Sequence, residues 1–130
     1  MVKTIIVTHG NLAKELIQTA QVIIGDMEGV FSVSNDGKAP QMLCEEIEAI
    51  IEKHPDDRFI VFADFFGGSC CHACISVEDQ CENVHLITGV NLPMLLAFIN
   101  KRDAVAFDQL PEELIARGRD SMRSVRAEDL

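Results

Sequence analysis

A histidine stands where the sequence changes from a strand pattern to a helix pattern. His9 follows the apolar run Ile5–Val7 and precedes a glycine and a helical spacing of apolar residues. At the end of a parallel strand, the next side chain points into the crevice where open α/β sheets bind their ligands. An imidazole there can act as a base, a nucleophile or a metal ligand near neutral pH. The simpler interpretation is a turn histidine that only hydrogen-bonds the backbone.

Asp64 directly follows a second apolar run, residues 58–63, and could serve His9. A histidine that attacks through one ring nitrogen needs the other held as N–H, and a carboxylate does this by accepting that hydrogen bond. The carboxylate also stabilises the cation that forms after attack. The alternative for Asp64 is an ordinary turn aspartate.

Two glycines and a serine, Gly67, Gly68 and Ser69, come next and could bind an anion. Glycines let backbone amides approach a ligand, and a helix N-terminus offers unpaired N–H groups with a favourable dipole. Such a cradle suits a phosphoryl group. The spacing is not the Walker pattern and no lysine follows, so nucleotide binding by that route is not expected. A tight loop with no ligand would use the same glycines.

Strand patterns alternate with helix patterns along the chain. Strands are predicted at residues 3–7, 30–33, 58–63 and 84–88. The first of five predicted helices runs from a capping Asn11 to Gly25, and the second ends at about residues 53–55. The third runs from a capping Ser69 to about Gln80, and the fourth runs from about Met94 to Lys101 behind a capping Asn91. The fifth begins at about Leu110. Helical spacing predicts buried faces at Leu12, Leu16, Ala20, Ile23 and Ile24, and at Leu43, Ile47, Ile50 and Ile51.

This alternation predicts an α/β fold, a doubly wound and mostly parallel sheet with helices on both faces and right-handed crossovers. In the strand order 2-1-3-4, ligands bind between strands 1 and 3, outside their carboxyl ends. His9 and Asp64 should then face each other across one crevice. Residues 119–130 could extend the last helix, form an edge strand or fray.

Bulk properties limit the possible functions. The chain has 130 residues, a formal net charge of −10 and 48% hydrophobic residues, which fits one globular domain over residues 1–130. The charge argues against binding nucleic acid or anionic membranes. No apolar stretch approaches the ~20 residues of a membrane span, and we expect no signal peptide before the first strand. Five cysteines, an odd number without a scaffold-like distribution, favour a reducing compartment, so we expect a cytoplasmic protein without disulfides.

Three motifs at strand ends resemble a known family. Thr8-His9-Gly10, the segment Asp64–Ser69, and the segment Gly89–Leu95 together are similar to the mannose-family IIA component of the bacterial phosphoenolpyruvate-dependent sugar phosphotransferase system. The resemblance implies that His9 accepts a phosphoryl group from the phosphocarrier protein HPr and passes it to a IIB component of a sugar permease. It also implies that Asp64 orients His9 and that Ser69 and neighbouring amides hold the phosphoryl oxygens. No ATP, metal or other cofactor is needed, because phosphohistidine itself carries the transfer potential.

The resemblance further implies a homodimer in which the C-terminal segment adds an antiparallel strand to the partner's sheet. Since no Ala/Pro-rich linker follows, we expect a free-standing IIA protein and not a fusion to IIB.

The sequence departs from the family pattern at Cys70–Cys74, where the family usually has proline and an aromatic residue after the serine. One alternative is therefore a regulatory or binding module of the same fold without efficient transfer. Another is a metal or thiol site at Cys70–Cys74, with the Cys70 thiol activated at the helix N-terminus. Core packing is expected for Cys71, Cys74 and Cys81. Surface or packing roles are expected for His72 and His85, and a solvated turn for His54.

Overall fold

A four-stranded parallel sheet forms the centre of the protein. The computed structural model describes residues 1–130, with strands β1 (Val2–Thr8), β2 (Val30–Ser34), β3 (Arg58–Ala63) and β4 (Val84–Thr88). Their order is β2-β1-β3-β4 and every pair is parallel. The predicted fold class and strand order are confirmed. Because Val7 pairs with Ala63, the loops that carry His9 and Asp64 leave neighbouring strands at the same edge.

Five helices cover the two faces of the sheet: α1 (Leu12–Ile24), α2 (Pro40–Glu52), α3 (Gly68–Gln80), α4 (Leu92–Lys101) and α5 (Leu110–Asp120). Alternate residues of β3 supply the two cores, since successive side chains of a strand point to opposite faces. Phe59 and Val61 pack with α2 and α3, whereas Ile60 and Phe62 pack with α1, α4 and α5. This explains the unbroken apolar character of β3.

The helix faces match the sequence prediction for α2 but only in part for α1, where the predicted residues Leu16 and Ala20 face the core. Leu43, Ile47 and Ile51 are buried and Ile50 is partly buried, as predicted. In α1 the buried stripe runs through Ala13 and Ala20, with Leu16 and Ile17 partly buried beside them. The predicted core residues Leu12, Ile23 and Ile24 are 46%, 54% and 38% exposed. The prediction was wrong there because α1 contacts the sheet through small residues, which leaves the larger side chains outside.

Helix capping also differs in part from the predictions. Asn91 caps α4 as predicted, with its Oδ1 accepting a hydrogen bond from the Met94 N–H at 3.0 Å. The Asn11 side chain makes no cap hydrogen bond to α1. Instead Thr8 Oγ1, at the end of β1, accepts from the Ala13 N–H at 2.8 Å. Ser69 lies inside the first turn of α3, which begins at Gly68, so its predicted capping role is wrong.

The C-terminal segment 121–130 is exposed throughout and contains a short 3₁₀ turn, Ala127–Asp129. It adds no strand to this chain's own sheet. The exchange of a strand with a partner therefore stays a prediction.

Candidate active site

His9 and Asp64 meet at the carboxyl ends of β1 and β3. The Nδ1 atom of His9 lies 2.8 Å from Oδ2 of Asp64, and the backbone N–H of His9 donates to the same oxygen at 3.0 Å. One carboxylate oxygen thus fixes the imidazole ring relative to its own main chain. The crevice predicted from the strand order brings these two residues together as expected.

The carboxylate determines which ring nitrogen is available for chemistry. Burial raises the pKa of Asp64, but the hydrogen bonds from the His9 backbone and side chain outweigh this, so the pKa is lowered. An ionised carboxylate only accepts hydrogen bonds, so the proton of the neutral imidazole resides on Nδ1. The lone pair then lies on Nε2. Because the His9 side chain is 42% exposed while Asp64 is 10% exposed, a reactant can reach the ring.

Phe65 supports both residues of the pair. Its ring stacks on the imidazole, with the ring centroids 5.3 Å apart and the planes 24° apart. Its backbone N–H donates to Oδ1 of Asp64 at 3.1 Å, so both carboxylate oxygens accept hydrogen bonds. The sequence interpretation missed this role of Phe65. An aromatic residue directly after a strand-end aspartate was the available signal.

The glycine loop passes directly beside the imidazole. Gly67 and Gly68 have φ values of +115° and +75°, which side chains with a Cβ rarely adopt. A Cβ built on Gly68 would lie 3.1 Å from the Phe65 ring and 3.4 Å from Cε1 of His9. α3 begins at Gly68, and the first N–H groups of a helix have no helical acceptor. The crevice therefore combines an imidazole nitrogen with a free lone pair, a carboxylate and a helix N-terminus.

Most of the chain matches one protein family. Residues 3–115 match the mannose-type EIIA family, described as "PTS system fructose IIA component". The chain belongs to this mannose family of IIA components. Members of this family are IIA components of a phosphotransferase system.

Relatives and solved structures agree with this family. The IIA chain is 30% identical over 126 residues to the mannose-specific EIIAB component of Escherichia coli, a match that covers 95% of the chain and 39% of that protein. It is 27% identical to the fructose-specific EIIA component of Bacillus subtilis, covering 95% and 86%. A crystal structure of EIIA from Streptococcus agalactiae has the same fold, with a TM-score of 0.88 at 20% identity, covering 95% and 97%. The chain thus spans about two fifths of the E. coli protein.

No helix of this IIA chain has the length and apolar character that crossing a bilayer requires.

The cysteines of α3 point into the protein. Cys70, Cys71 and Cys74 are buried, and Cys81 packs partly buried against the same core. Core packing is therefore confirmed for Cys71, Cys74 and Cys81. Burial raises the pKa of the Cys70 thiol to about 11, and the negative charge of Asp64 acts in the same direction. The predicted activation of Cys70 was wrong, because burial of this thiol raises its pKa.

Potential metal ligands converge at one place only, and it is not Cys70–Cys74. Ligand atoms of His9, Asp64 and Cys70 lie within 4.8 Å of one another. Cys74 and His72 belong to no such group, so the Cys70–Cys74 ligand set was wrong.

The other histidines lie outside the crevice. His72 is exposed, and His85 stacks on Phe107 at 4.3 Å. His54 was predicted to be a solvated turn residue, but it packs partly against two aromatic rings. The centroid of its ring lies 5.5 Å from that of Phe31 and 6.3 Å from that of Phe59.

Proposed function

We propose that His9 accepts a phosphoryl group from phospho-HPr and passes it to a IIB component of a sugar permease. The observation that carries the proposal is the hydrogen bond between His9 Nδ1 and Asp64, which leaves the free lone pair of the ring on Nε2. In the forward step, Nε2 attacks phosphorus, the P–N bond to the donor histidine breaks, and a new P–N bond forms. The donor imidazole leaves with the electron pair of the broken bond. In the second step a IIB side chain attacks phosphorus, the P–N bond to His9 breaks, and the His9 imidazole leaves with the electron pair of that bond.

Asp64 is proposed to orient and stabilise the imidazole during this exchange. Attack through Nε2 leaves a positive charge on the ring, with the proton still on Nδ1. The carboxylate accepts that proton's hydrogen bond and balances the charge. No ATP, metal or other cofactor enters, since the donor phosphohistidine supplies the transfer potential.

Gly67, Gly68 and Ser69 are proposed to hold the phosphoryl oxygens. Support comes from the start of α3 at Gly68, next to the imidazole, where free N–H groups and the helix dipole favour an anion. The Ser69 hydroxyl is in the first turn of the same helix. Positioning of this kind is the main contribution a protein makes to phosphoryl transfer.

Labelling from phosphoenolpyruvate tests the proposal. With the general phosphotransferase proteins and labelled phosphoenolpyruvate, the wild-type chain should take up an acid-labile phosphoryl group. His9→Ala should take up none. His72→Ala is the matched control, because this exposed histidine lies outside the crevice, and it should label like the wild type. Labelling of His9→Ala at the wild-type level would contradict the assignment.

Chase of the label separates a carrier from a binding module. The phosphorylated chain should lose its label when a cognate IIB component is added. A chain that is labelled but keeps its label beside every IIB component encoded near it would be a regulatory module instead. The Cys70–Cys74 departure motivates that alternative, whereas the intact pair of His9 and Asp64 favours transfer.

We also propose a cytoplasmic homodimer, with no nucleic acid partner and no membrane insertion. β4 is an edge strand, and a groove of about 510 Å³ runs beside it, lined by apolar residues that include Ile75, Leu86 and Ile115. A strand from a second chain would pair with β4 and cover this groove. Sedimentation should show a dimer for the full chain and a monomer for a variant that lacks residues 121–130. A full chain that sediments as a monomer at micromolar concentration would exclude the exchange.

A further inference from the structure

Three donor groups of different chemistry converge in the crevice. A ring nitrogen of His9, a carboxylate oxygen of Asp64 and the Sγ atom of Cys70 lie within 4.8 Å of one another. The residues come from two separate loops and the first turn of α3, so the fold itself assembles them. Cys70 is fully buried beneath the pair, whereas His9 is open to solvent. Protein ligands could thus occupy one side of an ion and water the other.

The donor set selects the kind of ion. Thiolate and imidazole favour zinc and related transition metals, whereas magnesium and calcium prefer sites made only of oxygen ligands. Zinc is usually four-coordinate, at about 2.0 Å from nitrogen and oxygen and about 2.3 Å from sulfur. Donor atoms around one tetrahedral ion are then about 3.5 Å apart. Closing the three groups around zinc requires only side-chain adjustments of an ångström or so.

We propose that His9, Asp64 and Cys70 form a Zn²⁺ site that switches off His9 as a nucleophile. Nδ1 is the ring nitrogen that faces Asp64, so it is the nitrogen the ion takes. The ion replaces the proton between Nδ1 and Oδ2, and these two atoms move apart by about half an ångström. The Cys70 thiol binds as thiolate and gives its proton to solvent. Water completes the fourth position.

The inhibition follows from the tautomer of the imidazole. A neutral imidazole carries one proton, and a metal on Nδ1 places that proton on Nε2. Nε2 then has no lone pair with which to attack phosphorus. The ion also neutralises Asp64, which otherwise balances the charge on the ring. Zinc on Nδ1 therefore blocks phosphorylation of His9. This consequence rests on the proposed function, whereas the binding of zinc does not.

The overall charge of the chain supports a cation in this crevice. The formal net charge is −10, so the surrounding field attracts cations. Two of the three ligands are negatively charged when zinc is bound, the Asp64 carboxylate and the Cys70 thiolate. Together they balance the two positive charges of Zn²⁺. Gly68 lies directly beside the imidazole, and a side chain at this position would meet His9 and Phe65.

Equilibrium binding of zinc alone tests the site. Metal-free protein competes with a chromophoric chelator for Zn²⁺, and one equivalent should bind to the wild type. Loss of an outer partner of a ligand already lowers metal affinity by about 10- to 100-fold, so Cys70→Ser and Cys70→Ala should each lower it by at least that much. Cys74→Ala is the matched control, a buried thiol four residues along the same helix that lies outside the cluster, and it should keep the wild-type affinity. Circular dichroism confirms that each variant is folded.

Cobalt(II) reports directly on the thiolate. The wild type and Cys74→Ala should show near-ultraviolet sulfur-to-cobalt charge transfer, which Cys70→Ala should lack. Equal zinc affinity of the wild type and both Cys70 variants, or cobalt spectra without charge transfer, would overturn the site. If a Cys70 variant does not fold, the cobalt spectrum of the wild type and its loss in His9→Ala decide the question alone.

Phosphorylation provides the second readout. One equivalent of zinc should block labelling of the wild type, and a stronger chelator should restore it. Cys70→Ala should label at the same zinc concentration. Zinc that binds through Cys70 while labelling continues would overturn the switch but keep the site. A chain that binds zinc through Cys70 and is never labelled would refute the proposed function and leave the metal site standing.

Discussion

At the residue scale, Asp64 fixes which nitrogen of the His9 imidazole carries the proton. A histidine alone exchanges its proton between both nitrogens. The carboxylate, with a lowered pKa and two hydrogen bonds from His9, keeps the proton on Nδ1. The Phe65 ring restricts the imidazole plane from one side. Orientation and charge therefore come from two neighbours in sequence, Asp64 and Phe65.

Asp64→Asn should slow phosphorylation of His9 without unfolding the chain. An amide can accept a hydrogen bond but carries no charge to balance the imidazolium. A hydrogen bond to a charged group contributes about 1.5–3 kcal/mol, which corresponds to about 10- to 100-fold in rate. Rapid-quench labelling measures this rate. Asp103→Asn is the control, since this exposed aspartate makes no side-chain hydrogen bond. A wild-type labelling rate for Asp64→Asn would contradict the proposed role of Asp64.

At the element scale, the turn between β3 and α3 sets the distance between the helix N-terminus and the imidazole. Its two glycines have positive φ, which allows the chain to fold back over His9. A side chain at Gly68 would occupy the space beside the ring. The loop therefore does more than connect two elements.

Gly68→Ala should both destabilise the chain and slow labelling. The positive φ of Gly68 costs a residue with a Cβ about 1–2 kcal/mol, and the new methyl group pushes against Phe65 and His9. Gly37→Ala separates the two effects, because Gly37 has φ of +69° but nothing within 4 Å of its Cβ position. Chemical denaturation should show a loss of stability for both variants, with the larger loss for Gly68→Ala, and labelling should slow only for Gly68→Ala. Equal labelling of the two variants would refute a role for the loop spacing.

Element order and the ends of strands could be read from the sequence, because apolar runs and helical spacing are local signals. The crevice position of His9 and Asp64 followed from them through the strand order. Side-chain burial on α1 could not be read, because it depends on which stripe of the helix meets the sheet. The inward direction of Cys70 was missed for the same reason. Whether a thiol at a helix start is open or buried depends on the elements packed beneath it.

At the scale of the whole molecule, the two edges of the sheet have different tasks. The carboxyl ends of the strands form the crevice. At the opposite ends of the strands, ionic contacts join the start of β1 to the loop before β3. Asp57 accepts hydrogen bonds there from Lys3 and from the amino group of Met1 at 3.2 Å. His54 lies 4.0 Å from the same carboxylate. Ion pairs to Asp57 thus connect β1 with the loop before β3 at the strand ends that lie away from the crevice.

Asp57→Asn should make folding stability less sensitive to acid. The hydrogen bond from Lys3 lowers the pKa of Asp57 in the folded chain below its usual value, so the unfolded chain binds a proton first as the pH falls. The stabilisation is complete above the unfolded pKa of about 4 and is lost as the pH falls through the folded pKa. Urea unfolding at a series of pH values should show a steeper loss for the wild type than for Asp57→Asn in this window. Asp56→Asn is the control, because it removes a neighbouring carboxylate without a bonded partner, and its stability should fall with pH as steeply as that of the wild type. An equally steep fall for Asp57→Asn would show that stability in this pH range does not depend on the Asp57 charge.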